Sequence, residues 1–144
     1  MLIRPLQEKD LDQAAALEAQ NFSCPWSRQA FADALKKDYY LYLAAFAEDE
    51  TLLGICGLIC SYDEGEITNV AVSDKARRCG IAYQMLTELM RQAQEKGIRV
   101  FTLEVRKSNA PAIGLYQKLG FVPEGIRPGF YEAPVEDAVI MWKR

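Results

Sequence analysis

The sequence predicts one α+β domain built on a mixed sheet. Apolar runs of strand formers and segments of helical spacing follow one another in the order β-α-α-β-β-β-α-β-α-β-β, and a single strand, helix and strand crossover from "GEITNVAV" to "RVFTLEV" requires a parallel pair in a sheet otherwise joined by hairpins. No repeat, low-complexity tract or linker interrupts residues 1–144, so a single domain is expected across the whole chain.

"MLIRPLQ" reads as the first strand, and "KDLDQAAALEAQNF" as a helix with Leu11, Ala14, Ala15, Leu17 and Ala19 on or near one face. In "CPWSRQAFADALKK" Ser27 is a natural N-cap, and Trp26 before it can staple onto Phe31, so a second helix starts near Arg28. "YYLYLAAFAED" and "TLLGICGLICSY", separated by an acidic turn, form an antiparallel hairpin, and "GEITNVAV" follows as a third strand. A long helix then runs from about Gly80 to Lys96, closed by Gly97, and leads into "RVFTLEV". "NAPAIGLYQKLG" is a shorter helix capped by Ser108 or Asn109, with Pro111 tolerated in its first turn and Gly120 ending it. "FVPEG" and "EDAVIMWKR" supply two last strands around a loop containing Gly and Pro.

Composition narrows the chemistry. With 50% hydrophobic residues and 26% charged in 144 residues, the chain can bury a core without disulfide or metal staples. No run of 18 apolar residues is present and the N-terminus turns polar at its fourth residue, so neither a membrane span nor a signal peptide is expected and the location is expected to be cytoplasmic. Cys24, Cys56, Cys60 and Cys79 show no CxxC spacing, which points to reduced thiols, with Cys56 and Cys60 in strands or core. A net charge of −3 disfavours a general nucleic-acid surface but leaves room for a local basic cluster on a small anion. The absence of histidine removes Ser-His-Asp, Cys-His and His-ligated metal arrangements, so proton transfer falls to carboxylates, tyrosines, lysines, thiols or water, and no metal is expected.

That cluster stands in "VAVSDKARRCGIAYQML". A helix following a strand presents unpaired N–H groups and a partial positive charge at its first turn, which together bind phosphate. Gly80 permits an unusual backbone angle and close approach, Ala82 keeps the next position small, and Arg77 and Arg78 offer charge-assisted hydrogen bonds, so a pyrophosphate fits here. The turn is neither a Walker loop nor GxGxxG.

Arg77, Gly80 and Ala82 match the Gln/Arg-x-x-Gly-x-Gly/Ala pattern, and Asn109, Ala112, Leu115, Tyr116, Lys118, Gly120 and Phe121 match Asn-x-x-Ala-x-x-Leu-Tyr-x-Lys-x-Gly-Phe, both of the Gcn5-related N-acetyltransferases (GNAT superfamily), which the chain resembles over nearly its whole length. "NFSCPWSRQAF", "TLEVRKSNAPAIGLY" and "RPGFYEAPVEDAVIM" look like its ribosomal-protein-alanine N-acetyltransferase branch, although one tyrosine stands in "GFYEAP" where relatives often show two.

The resemblance implies a central mixed, mostly antiparallel sheet flanked by helices, with acetyl-CoA as cosubstrate. It also implies direct attack of a protein N-terminal α-amine, in the first place the alanine of a small-subunit ribosomal protein, on the thioester. It assigns Glu104 of "LEVR" as proton acceptor and Tyr116 as the phenol that serves the leaving thiolate. Val70, Ala71 and Val72 would run along the pantetheine, Asn109 would hold it, and Arg77, Arg78, Cys79, Gly80, Ile81, Ala82 and Tyr83 would surround the phosphates. Asn109, Ala112 and Tyr116 share one helical face.

Plain structural readings stand beside these. Glu104 could pair with Arg106 or a neighbouring lysine on a strand edge, Tyr116 could pack, Cys79 could be an ordinary side chain rather than a redox switch, and Gly114 marks close packing or cofactor approach. Trp26, Phe130 and Tyr131 are core aromatics or walls of an acceptor groove. Acetylation of lysine or a small amine, and a non-catalytic acetyl-CoA sensor, are the competing functions; neither nucleic acid nor membrane is an expected partner.

Overall fold

In the computed structural model, which describes residues 1–77 and 79–144, the elements follow the expected order. They are β1 (Leu2–Pro5), α1 (Leu11–Asn21), α2 (Arg28–Leu35), β2 (Tyr40–Phe46), β3 (Leu52–Ser61), β4 (Glu64–Val72), α3 (Ile81–Glu95), β5 (Val100–Arg106), α4 (Ala110–Lys118), β6 (Val122–Tyr131) and β7 (Glu136–Lys143). Among the described residues seven strands form one sheet, ordered β1-β2-β3-β4-β5-β7-β6, in which only β4 and β5 pair in parallel. No helix among the described residues is long and apolar enough to cross a membrane.

Period-two alternation divides the core into two layers. Along β2, Leu43 and Ala45 face one side, where Met85, Leu86, Leu89 and Ala93 of α3 cover them; Tyr42, Ala44 and Phe46 face the other, against Leu11 and Ala14 of α1 and Phe31 and Ala34 of α2. Local signals hold the helices in place. The Ala30 N–H donates to Ser27 Oγ at 3.1 Å, and the Trp26 and Phe31 rings meet at 5.4 Å, so the cap and staple that open α2 are both formed. Gly97 and Gly120, at φ +96° and +98°, follow the ends of α3 and α4 in the left-handed region that glycine enters without steric cost.

Two sequence expectations need correction. On α1 the buried set is Leu11, Ala14, Leu17 and Glu18, whereas Ala19 is exposed. Position 18 lies two turns beyond Leu11 and so returns to the same face, while position 19 is rotated about 80° away. The second correction concerns β6, which continues to Tyr131 and leaves only a short turn before β7. Because β6 is the last strand of the sheet, Pro123 and Pro128 do not interrupt a ladder on both sides, and its pairing absorbs two irregularities.

One defect in the sheet matters most. Gly57 pairs with Asn69 and Leu58 with Ile67, so Thr68 is the extra residue of a β-bulge. The bulge reverses the alternation of β4: Ile67 and Val70, three apart, both pack on the α3 side, while Asn69 and Ala71 face α1. On its other edge β4 pairs with β5 only from Glu64–Val100 to Glu66–Thr102; beyond that β5 follows β7 as far as Arg106 and Ala138.

Candidate active site

Where β4 and β5 part, a cleft of ≈ 510 Å³ opens, walled by β4, β5, α4, the segment after α1 and the end of β6. Among the described residues no strand pairs with the β4 edge that faces it. Backbone groups there need partners, and an extended ligand can supply them.

β5 contributes the carboxylate. Phe101, Leu103 and Val105 point into the α3-side core, which turns Glu104 and Arg106 to the opposite face. Glu104 lines the cleft; its Oε1 lies 3.8 Å from the half-exposed Arg127, and its Oε2 is buried with no hydrogen-bond partner among the described residues. Pairing with Arg106 is not what holds it. Arg106 instead meets Glu136 at 3.3 Å, donates to the carbonyls of Glu132 and Pro134 at 2.8 and 2.9 Å, and lies 4.6 Å over the Tyr131 ring. A further contact of Arg106, with Ser23 Oγ at 3.4 Å, ties the segment after α1 to the β6–β7 turn.

α4 supplies the opposite wall. Asn109 caps it, accepting from the Ala112 N–H at 3.3 Å, and Asn109, Ala112 and Tyr116 all line the cleft from one helical face, as their spacing predicts. Burial holds the Tyr116 phenol far above its ordinary pKa of 10.0, so the hydroxyl keeps its proton. A Cβ on Gly114 would meet nothing within 4 Å, which removes close packing as its explanation.

α3 begins at Gly80, whose φ of 73° places it in the left-handed region; no side chain caps this end and its first turn carries no acidic residue. The first backbone bond of the helix runs from the Gln84 N–H to Gly80 O at 3.1 Å, so the N–H groups of Ile81, Ala82 and Tyr83 precede the ladder. Ile81 sends its side chain into the core and Tyr83 is exposed. Arg77 is turned toward Asp74 and Asn21, both at 2.8 Å. Cys79 is an exposed free thiol, and Arg78 lies outside the described residues. Of the β4 residues, Val70 lines the cleft, Ala71 is buried on the α1 side and Val72 packs toward α3, leaving mainly backbone for a ligand.

The three aromatics divide. Trp26 packs 5.8 Å from Tyr42 and also lines the cleft. Phe130 is 46% exposed and stands edge-on to Tyr131 at 5.0 Å, at the rim. Burial first, then the nearby Glu104 charge, push the Tyr131 phenol up to about 12, against the pull of Arg106.

Sequence reasoning missed a second polar cluster. The Tyr42 hydroxyl donates to Asn69 Oδ1 at 2.7 Å, Asn69 Nδ2 donates to Glu18 Oε1 at 2.8 Å, and the Trp26 N–H reaches the same oxygen at 3.5 Å. Burial raises the Glu18 carboxyl above its usual pKa, although both donors pull it back. The available signal was a carboxylate at a stripe position of α1, seven residues after Leu11.

The acetyltransferase (GNAT) family model matches residues 9–121. The chain belongs to that family. As a GNAT acetyltransferase it is 35% identical over 140 residues to the putative [ribosomal protein bS18]-alanine N-acetyltransferase of Bacillus subtilis, covering 97% of this chain and 93% of that one. With the [ribosomal protein bS18]-alanine N-acetyltransferase of Escherichia coli K12 the identity is 33% over 148 residues, covering 96% and 94%. The crystal structure of the Escherichia coli ribosomal-protein-S18-alanine N-acetyltransferase superposes with a TM-score of 0.90 at 31% identity, over 99% of this chain and 92% of the other.

Proposed function

We propose that this GNAT enzyme transfers the acetyl group of acetyl-CoA to the α-amine of a protein N-terminus, and that the alanine of ribosomal protein bS18 is its acceptor. The observation that carries the reading is Glu104 Oε2, a buried carboxylate oxygen without a partner among the described residues, on the wall of a cleft opened by strand splay. Relatives named for this acceptor, matching more than nine-tenths of both chains, support the choice of α-amine.

The residues fit the cosubstrate. The uncapped, acid-free start of α3 presents the amides of Ile81, Ala82 and Tyr83 to a diphosphate, with Gly80 leaving room for close approach. The unpaired edge of β4 from Val70 to Val72 and the side-chain amide of Asn109 suit the peptide-like pantetheine. Acetyl-CoA supplies an activated acetyl thioester.

An α-amine, with a pKa near 8, is mostly protonated at neutral pH and cannot attack in that form. Glu104 takes the proton from the amine nitrogen, directly or through one water. A β4 backbone N–H donates to the carbonyl oxygen as negative charge develops there. Tyr116, kept protonated by burial, donates a hydrogen bond to the departing thiolate, whose thiol pKa is near 8.5, while the nitrogen sheds its second proton as the C–N bond of the amide replaces the C–S bond. Trp26, Phe130 and Tyr131 border the acceptor's path.

Incubation with labelled acetyl-CoA and a panel of alanine-starting peptides, lysine peptides and polyamines tests this. Label on the bS18 N-terminal peptide, lost when its α-amine is blocked, is the expected result. Label on lysine or polyamines alone contradicts the acceptor, and binding without transfer contradicts catalysis.

A further inference from the structure

Glu18 is the least expected residue in the core. Only 3% of its surface is exposed, it lies on the buried face of α1, and it lines the same cleft as Glu104. One of its carboxylate oxygens is fully employed: Oε1 accepts from Asn69 Nδ2 at 2.8 Å and from the Trp26 N–H at 3.5 Å. Asn69 cannot turn over to serve it differently, because its Oδ1 already takes the Tyr42 hydroxyl at 2.7 Å. Oε2 is buried and has no partner among the described residues.

Structural need does not account for a charge here. A glutamine would accept from Asn69 and Trp26 equally well and would spare the cost of burying a carboxylate. Among the described residues no lysine or arginine makes an ion pair with Glu18. Of the three glutamates that line the cleft, Glu132 is exposed, whereas Glu104 from β5 and Glu18 from α1 each have one buried oxygen without a partner among the described residues. On the α1 side, where Trp26 also lines the cleft, the described residues leave Glu18 Oε2 without a donor.

We propose that Glu18 is a second acceptor-binding carboxylate: its Oε2 accepts a hydrogen bond from the incoming ammonium and holds the amine beside Glu104, which then takes the proton. Glu18 stays ionised throughout, so no proton passes through it. This inference rests on the acetyl-transfer reading and adds to it the group that binds the acceptor in its charged form.

Glu18→Gln is the direct test. Its carbonyl keeps the Asn69 and Trp26 bonds while its NH2 places a donor where the ammonium needs an acceptor. Calorimetry in the presence of coenzyme A compares an alanine-starting hexapeptide with the same peptide carrying an N-terminal propionyl group in place of alanine, which lacks only the amine. The wild-type protein should bind the amine-bearing peptide about 10- to 150-fold more tightly, the range of one charge-assisted hydrogen bond. Glu18→Gln should bind both peptides alike, with a rise of that size in the acceptor KM and with coenzyme affinity held within about 2-fold. Glu104→Gln, which leaves α1 untouched, should retain most of the preference for the amine. An acceptor KM unchanged in Glu18→Gln, or a preference that vanishes in Glu104→Gln, overturns the proposal. If the acceptor panel identifies a lysine or polyamine instead, the α-amine reading fails separately, and the same comparison made with that amine and its des-amino analogue decides the role of Glu18.

Discussion

Replacing Glu104 by glutamine separates catalysis from stability, because the structure gives the two quantities different sizes. The only ion pair of Glu104 among the described residues is with Arg127, 56% exposed and 3.8 Å away, and a pair of that kind contributes about 0–1 kcal/mol to folding. Oε2 has no partner among the described residues to lose. The variant should therefore unfold within about 1 kcal/mol of the wild-type protein. Loss of a general base costs about 10²- to 10⁴-fold in rate, or about 3–5 kcal/mol of barrier. The assay is steady-state release of the coenzyme thiol with an alanine-starting peptide, from about pH 6 to 9.5, beside urea unfolding of both proteins. Without an internal acceptor the residual rate should climb with pH as the free amine appears, levelling above the amine pKa of about 8. A variant that keeps more than about a third of the wild-type kcat/KM, with the wild-type pH profile, would show that Glu104 only accompanies Arg127.

Three further outcomes follow from the same geometry. A Cβ at Gly57 would stand 2.1 Å from the Tyr42 ring, so Gly57→Ala must displace that ring and its bond to Asn69; urea unfolding should show a loss of about 2–4 kcal/mol, and an unchanged midpoint would contradict the packing. Gly80→Asp puts a Cβ at φ 73° and a negative charge at the start of α3, and should weaken coenzyme A binding at least about 10-fold by calorimetry while the acceptor KM changes less; equal effects on both ligands would contradict the anion site. Burial raises the folded-state pKa of Glu18 above its ordinary 4.5, so the contribution of Glu18 to wild-type stability is fullest below that pH and is lost as pH rises through the raised value; the stability of Glu18→Gln relative to wild type should increase from acid to neutral pH, and a constant difference would show that Glu18 does not titrate differently on folding.

Much of the scaffold was legible because its signals are local. Ser27, Gly97, Asn109 and Gly120 mark helix ends through their own backbone preferences, and the spacing of Asn109, Ala112 and Tyr116 places them on one face whatever surrounds the helix. The length of β6 was not legible, since Pro123 and Pro128 argue against a strand until its place at the sheet edge is known. The Thr68 bulge, which turns Asn69 toward α1, is a matter of register between β3 and β4 that no periodicity in either strand announces. Glu104 owed its selection to the family pattern, and only the fold showed that Arg106 is committed elsewhere. Glu18 went unnoticed because its partner lies 51 residues away, although its two-turn distance from Leu11 placed a charge on an apolar stripe.

A crystal structure of the protein with coenzyme A and an alanine-starting peptide bears most directly on the central claim. The diphosphate should lie on the amides of Ile81, Ala82 and Tyr83, the pantetheine between β4 and β5, and the peptide amine within hydrogen-bond reach of Glu104, directly or through one water. A peptide amine seated away from Glu104, or a diphosphate bound anywhere other than the start of α3, would contradict it.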